Sequence, residues 1–263
     1  MAWCIVPYDS KKRNAAERAA MLKKLGIQSF AYDWRADDLP LMADEFRTLK
    51  KEGIQLKSVW FWINGGGKEM LDEANETILA TLKNTNTRTE LWVSFPENYF
   101  DGLTEKEKLE KAVKVVKYVH GRAASIGCSI ALYNHGAWFG EPANQVKVIK
   151  ATGLSDIGIV YNFHHAHLQL DYFDEILRVT KPWLSTVNLD GIKPEGPKIL
   201  TLGEGTHEME MMKKLKASGF KGSIGIIGHT ENEDVELVLA RNLRGMKKLL
   251  SDMKDSAALR TYQ

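Results

Sequence analysis

The sequence lacks the features that mark several large classes of protein. It contains no apolar run of about 20 residues, so no transmembrane helix is predicted. Its 36 basic and 34 acidic residues are interspersed and nearly cancel, which argues against nucleic acid or a membrane surface as a partner. Residues 1–10 have too little apolar content for a signal peptide, which predicts a cytoplasmic protein, or a periplasmic or secreted one if a signal has been removed.

Cysteine is scarce, and the common nucleotide-binding motifs are absent. Cys4 and Cys128 lie in apolar segments predicted to be buried strands, so two inert core thiols are favoured over a disulfide. No GxxxxGK[ST] motif occurs, and no GxGxxG follows the first predicted strand. Gly65-Gly66-Gly67 is a weak signal for a phosphate-binding loop, and an ordinary loop after a strand is the simpler interpretation.

What the sequence does contain is a strand followed by a helix, repeated along its length. The predicted strands are 3–8, 29–34, 58–63, 90–95, 129–132, 157–161, 184–189 and 223–227. The predicted helices are 15–25, 41–51, 69–83, 106–125, 143–151, 172–180, 209–217 and 234–250. Eight such units predict a closed (β/α)8 TIM barrel, as a single domain over residues 1–263. A doubly wound open sheet is the alternative.

Polar side chains follow these strands, at what would be one rim of the barrel. Six of the seven histidines do so: His135, His164, His165, His167, His207 and His229. Other hydrogen-bonding groups there are Asp33, Arg35, Asn64, Tyr133, Asn134, Asn162, Asn188, Asp190 and Glu204, with Trp62 and Trp138 beside them. Sugar hydroxyls pair with such groups while the C–H face of the ring rests on an aromatic. The pattern predicts a site for a small-molecule carbohydrate.

Motifs after five of the strands carry a family resemblance. They are Ala31-Tyr32-Asp33-Trp34-Arg35, Leu132-Tyr133-Asn134-His135-Gly136 with Trp138-Phe139-Gly140-Glu141-Pro142, Tyr161-Asn162-Phe163-His164-His165-Ala166-His167, Leu202-Gly203-Glu204-Gly205-Thr206 and Gly225-Ile226-Ile227-Gly228-His229. By these motifs the chain resembles the sugar phosphate isomerase/epimerase family, the xylose-isomerase-like TIM barrels, and is closest to a bacterial subgroup. The resemblance covers nearly the whole chain.

The resemblance breaks down at the metal ligands. Members of the family hold a divalent ion with Glu, Asp, His and Glu on strands five to eight. The corresponding positions here are Tyr133, Asn162, Asn188 and Ile227. Neutral side chains are poor ligands for Mg²⁺ or Mn²⁺, so we predict no metal and no other cofactor. A divalent ion, Zn²⁺ or Mn²⁺, is the alternative, and Zn²⁺ would need several histidines, with Glu204 as a fourth ligand.

The resemblance and the histidines together imply an enzyme that removes a proton next to a sugar carbonyl, as isomerases and epimerases do. We predict His165 and His135 as base and acid, because imidazoles titrate near neutral pH. Glu204 would orient or replace either one, and His229 would help polarise the carbonyl. A lyase or hydratase acting on 3-keto-glycosides is one alternative, and a non-catalytic sugar-binding barrel is another. The sugar and the oligomeric state are left open.

The other polar residues are assigned to substrate binding. They are Asp33, Arg35, Trp62, Asn64, Tyr133, Asn134, Trp138, Asn162, His164, His167, Asn188, Asp190 and His207. We predict an ion pair between Asp33 and Arg35, which alternate along one strand exit. Trp138 is predicted to cover the sugar ring. His164 and His165 are neighbours at a strand end and are expected to point in opposite directions.

Overall fold

Eight parallel strands close into a barrel in the order of the sequence. The computed structural model describes residues 1–64, 70–135 and 137–262, so Gly65-Gly66-Gly67 and Gly136, which the sequence analysis interprets, lie outside the described residues. The strands are β1 (Ala2–Trp3), β2 (Ser29–Tyr32), β3 (Gln55–Trp62), β4 (Glu90–Ser94), β5 (Ser129–Tyr133), β6 (Ile157–Asn162), β7 (Leu184–Leu189) and β8 (Ser223–Ile227). The predicted (β/α)8 TIM barrel is confirmed.

Helices surround the barrel. The α-helices are α1 (Ala15–Lys24), α2 (Met42–Lys51), α3 (Glu73–Asn84), α4 (Glu105–Ala124), α5 (Ala137–Gly140), α6 (Pro142–Thr152), α7 (Phe173–Thr180), α8 (Glu208–Ala217), α9 (Val235–Asp252) and α10 (Ser256–Leu259). Short 3-10 helices cover Ala36–Leu41, Glu97–Phe100, Phe163–His165, His167–Tyr172 and Arg260–Tyr262. No helix in these described ranges is long and apolar enough to cross a membrane.

Local sequence signals explain where several helices begin and end. Asn14 caps α1 through a hydrogen bond from the Glu17 backbone N–H at 3.0 Å, and Thr104 caps α4 in the same way. Gly26 and Gly53 follow α1 and α2 with φ of +70° and +71°, a conformation that glycine adopts without strain. Both helices end within one residue of the predicted bounds.

Two elements differ from their predicted bounds more than the others do. Strand β1 ends at Trp3 and not at Tyr8, because Cys4 has φ of +58°, which takes the backbone out of the extended conformation. Helix α3 begins at Glu73 and not at residue 69, because Asp72 accepts a hydrogen bond from the Asn75 N–H at 2.9 Å and forms the cap. Cys4 therefore lies after a strand, and Cys128 directly precedes β5; both thiols are free and buried.

The strand side chains form two apolar layers. On β5, Ile130 and Leu132 belong to the large layer between strands and helices, whereas Ala131 and Tyr133 belong to a small cluster inside the barrel. The inner cluster contains Trp3, Cys4, Ala31, Trp92, Ala131, Tyr133, Val160 and Ile227. Residues that follow these inner positions at the carboxyl ends of the strands line a cavity, for which the inner cluster is the floor.

Candidate active site

A cavity of about 130 Å³ lies at the carboxyl ends of the strands. It is lined by Trp3, Cys4, Tyr8, Asp33, Arg35, Trp60, Tyr133, His135, His164, His165, Lys198 and His229. Of the six histidines predicted at this rim, four line the cavity: His135, His164, His165 and His229. His167 lines an adjoining cavity instead, and His207 lines neither.

Three imidazoles and a phenol meet at the exits of β5 and β6. The Tyr133 hydroxyl lies 3.4 Å from Nε2 of His165. The ring of His165 lies edge-on to His135 and to His164, with centroid distances of 4.7 and 4.5 Å. The expectation that His164 and His165 point in opposite directions is wrong, because residues 163–165 form a 3-10 turn and the alternation of a strand no longer applies.

Burial keeps this cluster uncharged. It lowers the pKa of His135 and His165, and lowers that of His164 to about 3; the positive charge of Lys198 acts in the same direction. Burial also raises the pKa of the Tyr133 phenol. At neutral pH the cluster therefore consists of neutral imidazoles, which can accept a proton, and a neutral phenol, which can donate a hydrogen bond.

The opposite side of the cavity, formed by the exits of β1, β2 and β8, is cationic. Tyr8 and His229 stack with ring centroids 3.4 Å apart, and His229 Nε2 lies 3.2 Å from Glu231. Arg35 donates a hydrogen bond to the Tyr8 hydroxyl at 2.6 Å. Burial raises the pKa of Tyr8, so the phenol stays protonated. The guanidinium is the permanent charge on this side.

Asp33 lies in the same cavity as Arg35, but the predicted ion pair between them is wrong. One carboxylate oxygen of Asp33 accepts from the backbone N–H groups of Ile5 and Val6 at 3.2 and 3.4 Å. The other oxygen is buried and has no hydrogen-bond partner in the described chain. Arg35 instead donates to Tyr8 and to the carbonyl of Trp34. Burial raises the pKa of Asp33, and the positive charge of Arg35 opposes this rise.

Four amide and carboxyl side chains at the strand ends are buried beside the cavity. Asn134 links β5 to β6: its side chain accepts from the Asn162 N–H at 2.7 Å and donates to the Asn162 carbonyl at 3.1 Å. The side chains of Asn162 and Asn188 have both polar atoms buried without a partner among the described residues. Asp190 has one such oxygen, and burial raises its pKa. Asn134 and Asp190 follow β5 and β7, and Asn162 and Asn188 lie at the ends of β6 and β7, but none of the four lines the central cavity.

Four predicted site residues lie outside the central cavity for local reasons. Glu204 is exposed, in the loop between β7 and α8. Nδ1 of His207 lies 2.8 Å from the Thr206 hydroxyl, at the start of α8. Asn64 is exposed and donates to Asp72 at 2.7 Å. Trp138 belongs to α5, where its ring packs on Phe100 and its indole N–H donates to Glu105 at 2.7 Å, and it does not line the central cavity.

Trp62 packs against two residues that line the cavity. Its ring lies edge-on to His135 at 5.1 Å and against Trp60 at the same centroid distance. Its indole N–H donates to Asn64. Trp62 therefore orients His135 and does not line the central cavity itself.

The sequence analysis missed Tyr8 and Lys198. Tyr8 was assigned to the first strand, although its position at the predicted strand end placed it beside the rim. Lys198 lies in the loop between β7 and α8, is exposed, and lines the central cavity and two adjoining cavities. No hydrogen bond or ion pair within the described ranges involves its ammonium group. Only the length of its loop could have pointed to it.

The residues present do not fit a metal ion. Within residues 1–64, 70–135 and 137–262, no three His, Cys, Asp or Glu side chains are placed to hold one. Ile227 belongs to the apolar inner cluster, and Tyr133 stacks on Trp92 with centroids 6.0 Å apart. Asn162 and Asn188 bring neutral amides. Ile227 and Tyr133 therefore offer no good ligand to a metal ion, and Asn162 and Asn188 offer weak ones.

Comparison with known proteins shows the fold. No protein-family model and no curated protein matches the chain. Among solved structures, it is similar to 3-keto-D-glucoside 4-epimerase, YcjR, from E. coli, with 14% identity and a TM-score of 0.70 over 95% of this chain and 98% of that one. It is also similar to the IOLI protein with a bound zinc atom, with 14% identity and a TM-score of 0.71 over 96% and 99% of the two chains.

A third structure names the fold. The chain is similar to a fusion of a xylose isomerase-like TIM barrel with 4-hydroxyphenylpyruvate dioxygenase, with 13% identity and a TM-score of 0.69 over 96% of this chain and 43% of that one. The resemblance recognised from the sequence motifs is confirmed as a likeness of fold.

Proposed function

We propose that this xylose-isomerase-like TIM barrel is an enzyme that acts on a carbohydrate by removing a proton from the carbon next to a carbonyl group. The observation that carries the proposal is the neutral cluster of Tyr133, His135 and His165 within one cavity. The similar solved structure named as an epimerase of a 3-keto-D-glucoside supports the same chemistry.

In the proposed reaction His165 is the base. Its burial leaves the imidazole neutral and therefore able to accept the proton. Enolate formation places a negative charge within the cavity, and this charge stabilises the imidazolium that forms beside it. The proton passes from His165 to the neighbouring His135, which returns it to the product as the acid, so that both imidazoles end neutral, as they began.

The cationic side of the cavity stabilises the enolate oxygen. Arg35 is a permanent cation that lines the cavity and donates a hydrogen bond to the Tyr8 hydroxyl. Lys198 is a second cation in the lining. His229 and the Tyr8 hydroxyl are hydrogen-bonding groups in the same wall. Donors that are held in place around this oxygen lower the barrier, because the negative charge of the transition state develops there.

The cluster supports three related outcomes. After His165 takes the proton, the C–H electron pair forms a carbon–carbon double bond and the carbonyl pair moves to oxygen. Return of the proton to the other face of the same carbon gives an epimer, and return to the neighbouring carbon gives an isomer. Expulsion of a substituent from the β-carbon gives the lyase reaction on a 3-keto-glycoside. We favour the epimerase or isomerase and keep the lyase or hydratase as the second candidate.

Proton exchange tests the proposal directly. The protein is incubated with 3-keto-glucose and with its methyl glycoside in deuterated water, and deuterium at the carbons next to the ketone is measured by NMR. We expect exchange well above the rate in buffer. Binding without exchange across a panel of keto-sugars would instead favour the alternative of a non-catalytic sugar-binding barrel.

We further propose that the reaction needs no metal, because the four positions that hold an ion in the family carry Tyr133, Asn162, Asn188 and Ile227 here. Protein purified without added metal is analysed for its elements, and exchange is assayed with and without a chelator. Near-stoichiometric metal together with chelator-sensitive exchange, restored by one divalent ion, would overturn this proposal.

A further inference from the structure

A second and larger cavity opens beside the central one. It measures about 350 Å³, against about 130 Å³ for the central cavity. His164, His165 and Lys198 line both, so the two cavities meet at these side chains. If the substrate were a free monosaccharide held in the central cavity, this larger space would have no role. We call it the outer cavity.

The base of the outer cavity is held rigidly. Gln169 accepts a hydrogen bond from the Tyr161 hydroxyl at 2.9 Å and donates one to the Glu141 carboxylate at 3.1 Å. Gln169 and Tyr161 are both buried. These bonds fix the 3-10 helix 167–172, which forms one wall of the outer cavity, against β6 and the start of α6.

Other groups in its lining have hydrogen-bonding capacity that the protein does not use. Nε2 of His167 is buried and has no partner in the described parts of the chain. The carboxylate of Glu97 and the ammonium of Lys198 also line the outer cavity, and neither takes part in a hydrogen bond or ion pair found among the described residues. Together they offer an acceptor, a donor and an imidazole nitrogen to one ligand.

An apolar surface lies at the mouth of the outer cavity. The Leu168 side chain lines it and is 91% exposed, the highest value among the large exposed apolar side chains. A leucine next to three unused polar groups suits a ligand with hydroxyls on its edges and C–H groups on its face. A sugar ring has this chemistry, whereas a purely aromatic group would leave the polar groups buried without partners.

We propose that the outer cavity binds a second sugar ring, joined through a glycosidic oxygen to the ring that reacts in the central cavity. The substrate class is then a keto-disaccharide or a larger keto-glycoside. The glycosidic oxygen lies where the two cavities meet, beside His164 and His165. This inference rests on the proposed function for the identity of the reacting ring, but its binding test does not need the reaction.

Binding of sugars that cannot react tests the outer cavity alone. Methyl glucoside, phenyl glucoside and the methyl glycoside of a glucosyl-glucose disaccharide, each as the α and β anomer, have no free carbonyl group and cannot form an enolate. Dissociation constants are measured by calorimetry. We expect the disaccharide of one anomer to bind about 10- to 100-fold more tightly than the matching methyl glucoside, from two or three added hydrogen bonds.

Two variants locate that gain. His167→Ala combined with Leu168→Ala should remove most of it and leave the affinity for methyl glucoside within about twofold. Leu168→Ala alone, at an exposed position, should remove a part of it without affecting folding. Leu237→Ala is the matched control, because Leu237 is 57% exposed on α9 and lines none of the three cavities that meet at Lys198. It should keep the whole gain.

The outcomes separate the two proposals. The inference is overturned if the disaccharide binds no more tightly than methyl glucoside, if the double variant keeps the gain, or if phenyl glucoside shows a gain as large as the disaccharide. A gain that is lost in the double variant supports it, even where the keto-sugars show no exchange. In that last case the proposed reaction fails while the second binding site stands.

Discussion

At the exits of β5 and β6, buried nitrogens of His135 and His164 have no hydrogen-bond partner in the described chain. In the loop between β7 and α8, by contrast, the buried Glu208 carboxylate accepts from the N–H groups of Ile192, Gly203 and Gly205 at 3.3, 3.1 and 2.7 Å. The two regions belong to the same rim of the barrel, and both contain buried polar groups. They differ in whether the protein itself uses those groups.

The difference separates structural from functional polar residues. An unpaired buried polar group costs about 1–3 kcal/mol, so such groups are rare unless something outside the chain pairs with them. Glu208 is fully used in holding its loop and has nothing left for a ligand. The histidines keep their capacity, and they lie in a cavity. We therefore assign the reaction to the β5–β6 side and the support of the Lys198 loop to Glu208.

Substitution of the proposed base should have the largest effect. His165→Ala removes the group that takes the proton, and we expect deuterium exchange into the keto-sugar to fall about 10²- to 10⁴-fold. The melting temperature should change little, because the one hydrogen bond of the His165 side chain among the described residues is long, at 3.4 Å. His207→Ala, at a histidine outside the cavity, is the control and should exchange like the native protein. Equal losses in both variants would mean that His165 is not the base.

Substitution of Glu208 should have the next largest effect, which is a loss of stability. Glu208→Ala leaves three backbone N–H groups without their acceptor, so we expect the free energy of unfolding to fall by about 2–4 kcal/mol in urea titrations. Glu204→Ala, at the exposed glutamate of the same loop, should change it by less than about 0.5 kcal/mol. If the two variants were equally stable, the contrast between the two regions would be wrong.

The pH dependence of stability should reveal the unpaired histidines. The pKa of His164 is about 3 in the folded protein against 6.5 in an exposed imidazole, so the unfolded chain binds the proton first as the pH falls. Its contribution to stability is complete above about pH 6.5 and is lost between there and pH 3. This lowers the free energy of unfolding by up to about 1.4 kcal/mol per pH unit.

Comparison of variants isolates this contribution from those of other groups. Urea unfolding is measured at pH 7, 6, 5 and 4 for the native protein and for His164→Gln, and the difference between them should shrink or reverse as the pH falls. His207→Gln controls for the loss of a histidine as such. Parallel curves for the native protein and His164→Gln would show that His164 does not resist protonation.

The sequence was sufficient for the fold and for the side of the barrel that carries the site. Strands β7 and β8 have the predicted bounds, and the eight repeated units favoured the closed barrel over an open sheet. The histidines after β5, β6 and β8 meet because parallel strands end at one rim, a consequence of topology that needs no side-chain detail.

What the sequence could not predict depends on tertiary contacts. Glu204 and Glu208 both follow β7, and only burial decides that Glu208 is the one held by backbone N–H groups. Lys198 reaches the cavities because its loop folds back through a pairing of Gly191 with Leu200, which has no local sequence pattern. The neighbours His164 and His165 share one cavity because a 3-10 turn replaces the strand there.

Trp138 gives the smallest expected effect on the site. The sequence placed its ring over the sugar, but the structure places it on Phe100, with its indole N–H bonded to Glu105 at 2.7 Å. Trp138→Ala should therefore leave the dissociation constant of a bound sugar within about twofold, while the free energy of unfolding falls by about 1–2 kcal/mol from lost packing.

Trp138→Phe sharpens this test, because it keeps the aromatic packing on Phe100 and removes only the hydrogen bond to Glu105. Since that carboxylate lies at the exposed start of α4, we expect a loss of less than about 0.5 kcal/mol. A dissociation constant raised tenfold in Trp138→Ala, with an unchanged free energy of unfolding, would return the ring to the binding site. An unchanged dissociation constant with a reduced free energy of unfolding would show the opposite. Trp138, like Glu208, would then make its interactions within the protein and not with a ligand.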